Sequence, residues 1–138
     1  MREVKSRPLT EKEINSIHNR KERLFALNAH LAGFAVLPGR PIESPKPVAD
    51  RWGFLKKRKT VPDFEIIDPQ SHQTWHIEVT NGRGKNNHKL AQQNVAIEAG
   101  KGNYMQVTGR EIDFIDLIPL NKKRIFMQIL LGLRGPTD

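Results

Sequence analysis

The sequence predicts an α/β domain, a mixed central sheet flanked by helices, with a C-terminal helical extension. Three observations point there. Asp63–Ile67 and Trp75–Thr80 have strand character and flank the turn-rich segment DPQSHQT, which makes them a hairpin. A helix-spaced stretch then separates Trp75–Thr80 from a third strand-like run, Tyr104–Thr108, so these two strands form a right-handed parallel crossover. Upstream, apolar residues recur at helical spacing from Ile14 to Leu31. At 138 residues the chain suits a single domain, 1–138, with a core over about 11–108 and an extension over 109–138.

Arg2–Pro8 is basic and carries no element pattern. Thr10 and Glu13 have the spacing of a capping box, Ile14, Ile17, Leu24, Leu27 and Leu31 follow, and Gly33 supplies a stop; the pattern predicts one helix over 11–32. Phe34–Leu37 suits a short strand closed by Pro38-Gly39. Pro41, Pro45 and Pro47 make Gly39–Asp50 an irregular, extended loop. Trp52–Lys59 suits part of a strand; residues 51–59 hold five bases and no acid. In the second hairpin strand Trp75, Ile77 and Val79 share one face, and His76, Glu78 and Thr80 the other. Asn81-Gly82-Arg83-Gly84 breaks that strand, and Asn86 or Asn87 caps a helix to about Ala99. After Tyr104–Thr108, a strand is expected near Ile112–Ile118 and a helix over about Asn121–Leu133.

Lysine and arginine number 23 against 15 acids, a formal charge of +8, which favours a polyanionic partner. Hydrophobic residues at 37% allow a modest core. No run of about 18 apolar residues exists, so no membrane partner is expected. The start MREVKSRPLTEKE lacks an apolar signal region. The absence of cysteine excludes disulfides, thiolate zinc and a Cys nucleophile. A cytoplasmic, nucleoid-associated location fits all of this.

Asp63 opens the first hairpin strand and Glu78 lies near the end of the second, so antiparallel pairing makes them neighbours at one rim of the sheet. Two hard carboxylates there, with the Val79 carbonyl as a third oxygen, suit Mg²⁺ or Mn²⁺. Taken singly, each acid equally suits a solvated or turn-capping role. The whole arrangement shifts the weight: Pro62-Asp63, a short hairpin, Glu78-x-Thr80, a glycine-rich basic turn, a helix with Lys89 and Gln92, then a strand.

Over roughly residues 11–108 this arrangement resembles the PD-(D/E)XK nuclease superfamily, which includes restriction enzymes, Holliday-junction resolvases and transposon-end endonucleases. The resemblance implies a restriction-endonuclease-like αβββαβ core and metal-dependent phosphodiester hydrolysis. It puts the motif aspartate on Asp63, the acid of E-x-K on Glu78, and a further metal-binding glutamate on Glu22, midway along the expected first helix. The motif lysine is replaced by Thr80, whose hydroxyl carries no charge. The resemblance then looks elsewhere for the catalytic cation, first to Lys89 and second to Lys85; if neither reaches, the chain is a binding-only descendant. Gln92, with Gln93 as its competitor, resembles the family glutamine that holds substrate or acid.

Lys56, Lys57, Arg58 and Lys59, extended by Arg83 and Lys85, suit phosphate contacts. The competing roles for that run are a solvated face, a localisation address or an acidic-protein contact. Trp52, Phe54 and Tyr104 suit base stacking, although Phe54 and Tyr104 suit a core better. His76 shares a face with Glu78, and the five histidines have no metal-ligand spacing. Ile125, Phe126, Ile129, Leu130 and Leu133 form an apolar stripe suited to core closure or to a homodimer contact. Lys122, Lys123 and Arg124 oppose the helix dipole at that helix start, which points to a nearby phosphate or acidic partner.

The expectation is therefore a Mg²⁺-dependent endodeoxyribonuclease acting on DNA, with RNA as a second polyanion and a homodimer or partner subunit as assembly options. The alternative is a non-catalytic nucleic-acid-binding or assembly protein on the same fold.

Overall fold

The computed structural model describes residues 7–49, 56–80 and 103–134. Thr10 opens a helix as its spacing requires: its hydroxyl accepts from the Glu13 N–H at 3.2 Å, and Glu13 accepts from the Thr10 N–H at 3.0 Å. Arg7 adds two hydrogen bonds to Glu13, at 2.7 and 3.0 Å. Those bonds, then the Thr10 N–H, hold the Glu13 carboxyl down to about 2.

The single helix expected over 11–32 is in fact two, α1 (Glu11–Asn15) and α2 (Arg20–Leu31). Asn19 is the reason. Its side chain accepts from the Glu22 N–H at 3.1 Å and starts a new helix, a competition with continued helix that asparagine favours. Glu22 consequently sits in the first turn of α2, not midway along a long helix.

Among the described residues the strands are β1 (Ala35–Pro38), β2 (Ile42–Ala49), β3 (Lys56–Thr60), β4 (Phe64–Ile67), β5 (Thr74–Thr80) and β6 (Tyr104–Thr108). The main sheet has the order β1-β4-β5-β6. β1–β4 and β4–β5 are antiparallel and β5–β6 is parallel, as the hairpin and crossover patterns require. Gly39–Asp50 is not the expected loop: β2 occupies most of it and pairs with β3 as a separate two-stranded ribbon. The register shifts between Glu43 and Val48, the stretch holding Pro45 and Pro47, so prolines fall where the ladder is already interrupted.

The ribbon leaves and rejoins the main sheet at one point. Gly39 donates its N–H to the Asp63 carbonyl at 3.2 Å, and a Cβ on Gly39 would lie 1.7 Å from the Pro62 oxygen. Only glycine allows that approach. The basic strand β3 is thereby tied to the rim that carries Asp63.

The strand expected near Ile112–Ile118 is also overturned. This stretch belongs to α3 (Gly109–Leu117), followed by α4 (Leu120–Arg134). Thr108 and Glu111 form a second capping box, with the Thr108 hydroxyl accepting from the Glu111 N–H at 3.3 Å and Glu111 accepting from the Thr108 N–H at 3.0 Å. Ile112 and Ile115, three apart, are buried on one side of α3.

The core lies between these helices and one face of the sheet. Ile14, Phe25, Ala29, Ile112, Ile115, Met127 and Leu131 meet Phe64, Ile66, Trp75, Ile77, Val79, Met105 and Val107. Phe25 stacks on Phe64 with ring centroids 6.1 Å apart. The apolar stripe expected on α4 divides. Phe126 and Leu130 pack on the core, while Ile125 and Ile129 remain exposed beside Phe114 along an open apolar groove of about 430 Å³.

Two of the three bases at the start of α4 answer internal acceptors, which replaces the expected outside phosphate or acidic partner for them. Lys123 is buried and donates to Asn28 Oδ1 at 2.6 Å, the Ile115 carbonyl at 2.9 Å and the Asp116 carbonyl at 3.3 Å. It thus closes the C-terminus of α3. Arg124 donates to Asp68 at 2.9 Å and lies 5.3 Å over the Phe34 ring. Among the described residues no helix is long and apolar enough to cross a membrane.

Candidate active site

The second face of the main sheet is polar and buried. Strand alternation puts His76, Glu78 and Thr80 of β5 on it, beside Tyr104, Gln106 and Thr108 of β6 and Glu65 of β4. The parallel register pairs His76 with Tyr104, Glu78 with Gln106, and Thr80 with Thr108. Glu65, Glu78, Thr80 and Gln106 are all buried. Burial of so many polar groups in one sheet face is uncommon and is characteristic of a built site rather than a solvated one.

The antiparallel register runs Phe64 opposite Ile77 and Glu65 opposite His76, so Asp63, the residue before β4, and Glu78 lie at the same end of the hairpin. The Val79 N–H donates to Asp63 Oδ2 at 2.7 Å. In a strand the N–H and C=O of one residue point to the same edge, so the Val79 carbonyl lies on the Asp63 side. Glu78 also accepts from the Tyr104 hydroxyl, a long contact at 3.4 Å.

This donor set consists of hard oxygens, two carboxylates and one carbonyl, and it suits Mg²⁺ or Mn²⁺ better than a soft or imidazole-seeking metal. The Val79 bond fixes the Asp63 carboxylate at the strand end. Among the described residues no three His, Cys, Asp or Glu side chains gather as a metal cluster. Glu22 is placed on α2, which packs against the opposite, apolar face of the sheet.

No family model, no curated protein and no solved structure matches this chain. The site therefore stands on its own geometry.

Tyr104 is fully buried, as its core role requires, and packs with Ile42 at the base of the ribbon. Lys56–Lys59 form most of β3. Arg83, Lys85, Lys89, Gln92 and Gln93, the helix expected over 86–99, and Trp52 and Phe54 lie outside the described residues.

Sequence reasoning missed Glu65. It is buried within β4, opposite His76, and takes two hydrogen bonds from Arg40, at 3.0 and 2.9 Å. Glu65 in turn raises the Arg40 guanidinium further, by hydrogen bonding first and charge second. One local signal was present: an acid two residues after Asp63, flanked by Phe64 and Ile66, in a strand buried on both faces.

Proposed function

We propose that this chain is a metal-dependent DNA endonuclease with a restriction-endonuclease-like αβββαβ core. The observation that carries the reading is the rim itself: Asp63 bonded to the Val79 N–H at 2.7 Å, at the hairpin end that carries Glu78. The sheet topology supports it too: helices lead into β1, β4 and β5, antiparallel neighbours in one sheet with the β2–β3 ribbon inserted after β1, and β6 runs parallel to β5.

In this reading Asp63, Glu78 and the Val79 carbonyl hold Mg²⁺ or Mn²⁺. The ion supplies Lewis-acid stabilisation of the phosphate charge and a more acidic bound water. The protein's share is to fix the two carboxylates at one end of the β4–β5 hairpin. Thr80 stands where the resembling family has lysine, so the cation near the attacking water comes from Lys85 or Lys89. Lys56, Lys57, Arg58, Lys59 and Arg83 grip the phosphates, and Gln92 contacts substrate. Such a protein works beside the nucleoid.

The second reading is a non-catalytic nucleic-acid-binding or assembly protein, and the uncharged Thr80 favours it. One experiment separates the two. Purified protein is incubated with plasmid, branched and single-stranded DNA in Mn²⁺, beside Asp63→Asn and Glu78→Gln. Cleavage by the parent that both variants lose supports the nuclease. Salt-sensitive binding without cleavage supports the second reading. Neutralising Lys56–Lys59 should lower the dependence of log K on log salt by about 0.9 for each phosphate that the strand no longer neutralises.

A further inference from the structure

Two threonines face one another across β5 and β6, and they are used differently. Thr108 is fully engaged: its hydroxyl accepts from the Glu111 N–H and donates to Glu111 Oε1 at 3.0 Å. Thr80, its register partner, is just as buried, at 4% exposure, yet its hydroxyl has no hydrogen-bond partner among the described residues. Buried hydroxyls are almost always satisfied, and an unsatisfied one marks an unrecorded water, an ion or a functional role. A structural reason is hard to find at this position. Threonine in a strand packs as well as valine, so a purely structural residue here would carry no hydroxyl to desolvate.

Position is the second observation. Thr80 lies two residues beyond Glu78 and so shares its face of β5, at the strand end where Asp63 fastens to Val79. The group that lacks a partner is therefore at the carboxylate rim itself. A hydroxyl both donates and accepts, so it can hold a water through either lone pair or proton.

We infer that Thr80 is a positioning residue: its hydroxyl holds an ordered water against the Asp63–Glu78 rim and orients it toward the scissile phosphate. This rests on the nuclease reading. Thr80 supplies geometry without charge. The hydroxyl retains its proton; it orients the water's lone pair and does not deprotonate it.

The test compares the parent with Thr80→Val and Thr80→Ser on a cleavable DNA in Mn²⁺. Valine keeps the shape and removes the hydroxyl; serine keeps the hydroxyl. Thr80→Val should lose about 10²-fold in kcat, the usual cost of one preorganised donor, with KM and Mn²⁺ affinity unchanged. Thr80→Ser should recover most of that loss. Thermal melting is the readout that a structural role would move: Thr80→Val should melt at or above the parent, because an unpartnered hydroxyl has been replaced by a methyl. A Mn²⁺-soaked crystal should show a water within hydrogen-bond distance of Thr80 Oγ1 in the parent and none in the valine variant. A valine variant that cuts at the parent's rate, or that melts well below it, overturns the inference and leaves the nuclease reading standing. A parent that cuts nothing overturns both.

Discussion

Asp63 and Val79 are joined by a 2.7 Å hydrogen bond in which a side-chain carboxylate takes the N–H that the neighbouring strand would otherwise take. β4 begins at Phe64, so Val79 has run past the last paired residue of that strand, and its N–H needs an acceptor. Asp63 is that acceptor, and the same bond fixes the carboxylate at the rim. Strand termination and the placing of the Asp63 carboxylate are one event.

Separating the two roles of Asp63 gives the first prediction. Asp63→Ala leaves the Val79 N–H without its acceptor and should cost about 1–2 kcal/mol of stability. Asp63→Asn keeps an oxygen for Val79 and should stay within about 0.5 kcal/mol of the parent, while losing Mn²⁺ affinity and cleavage. Urea unfolding beside manganese titration checks this. Equal stability of the two variants would mean that the hydrogen bond contributes nothing.

The register at this rim was legible because side chains in a strand alternate with period two and the hairpin is short; Trp75, Ile77 and Val79 fix which face is inside. The second capping box was equally legible, since Thr108 and Glu111 have the spacing of Thr10 and Glu13, but the apolar content of Ile112–Ile118 masked it as a strand. β2 was hidden by prolines that only a ladder irregularity accommodates. Glu65 and Lys123 were hidden for another reason. Their partners, Arg40 and Asn28, lie 25 and 95 residues away, and no local pattern reports a contact of that range.

Gly39 should tolerate no side chain. A Cβ there would lie 1.7 Å from the Pro62 carbonyl oxygen and 2.6 Å from its carbon, both backbone atoms that cannot rotate away. Gly39→Ala should cost about 3 kcal/mol or more, because relief requires moving the chain that leads into Asp63. Denaturant midpoints measure it. The contrast is Gly132→Ala in the last turn of α4, with nothing within 4 Å of its Cβ, which should be neutral or stabilising by up to about 1 kcal/mol. Similar midpoints for the two variants would refute the clash.

Lys123 should behave as a structural cation. Its ammonium satisfies Asn28 Oδ1 and two carbonyls at the end of α3, and Asn28 Nδ2 donates in turn to Leu24 O at 2.8 Å and Asp116 Oδ1 at 3.0 Å. Lys123→Met keeps the volume and strands those acceptors, at a cost of about 3 kcal/mol. A double-mutant cycle with Asn28→Ala should show coupling above about 1 kcal/mol, whereas additive losses would show that the two do not act together.

The pair of Asp68 and Arg124 should make stability depend on acid. Burial pushes the Asp68 carboxyl upward, but the Arg124 hydrogen bond, the Gln70 N–H and the Arg124 charge outweigh it and leave the group below its ordinary value of 3.8. The pair is shielded from water, with side chains 27% and 6% exposed for Arg124 and Asp68, so removing one partner by Asp68→Asn should lower stability at neutral pH. A lowered folded-state value means that the unfolded chain takes up the proton first as the pH drops. The contribution is thus complete above the ordinary value and is lost as the pH falls through the folded one. Unfolding free energies of the parent and Asp68→Asn should converge below about pH 4 and stay apart from there to pH 8. A gap that stayed constant down to pH 2 would show that the Asp68 charge does not stabilise the fold.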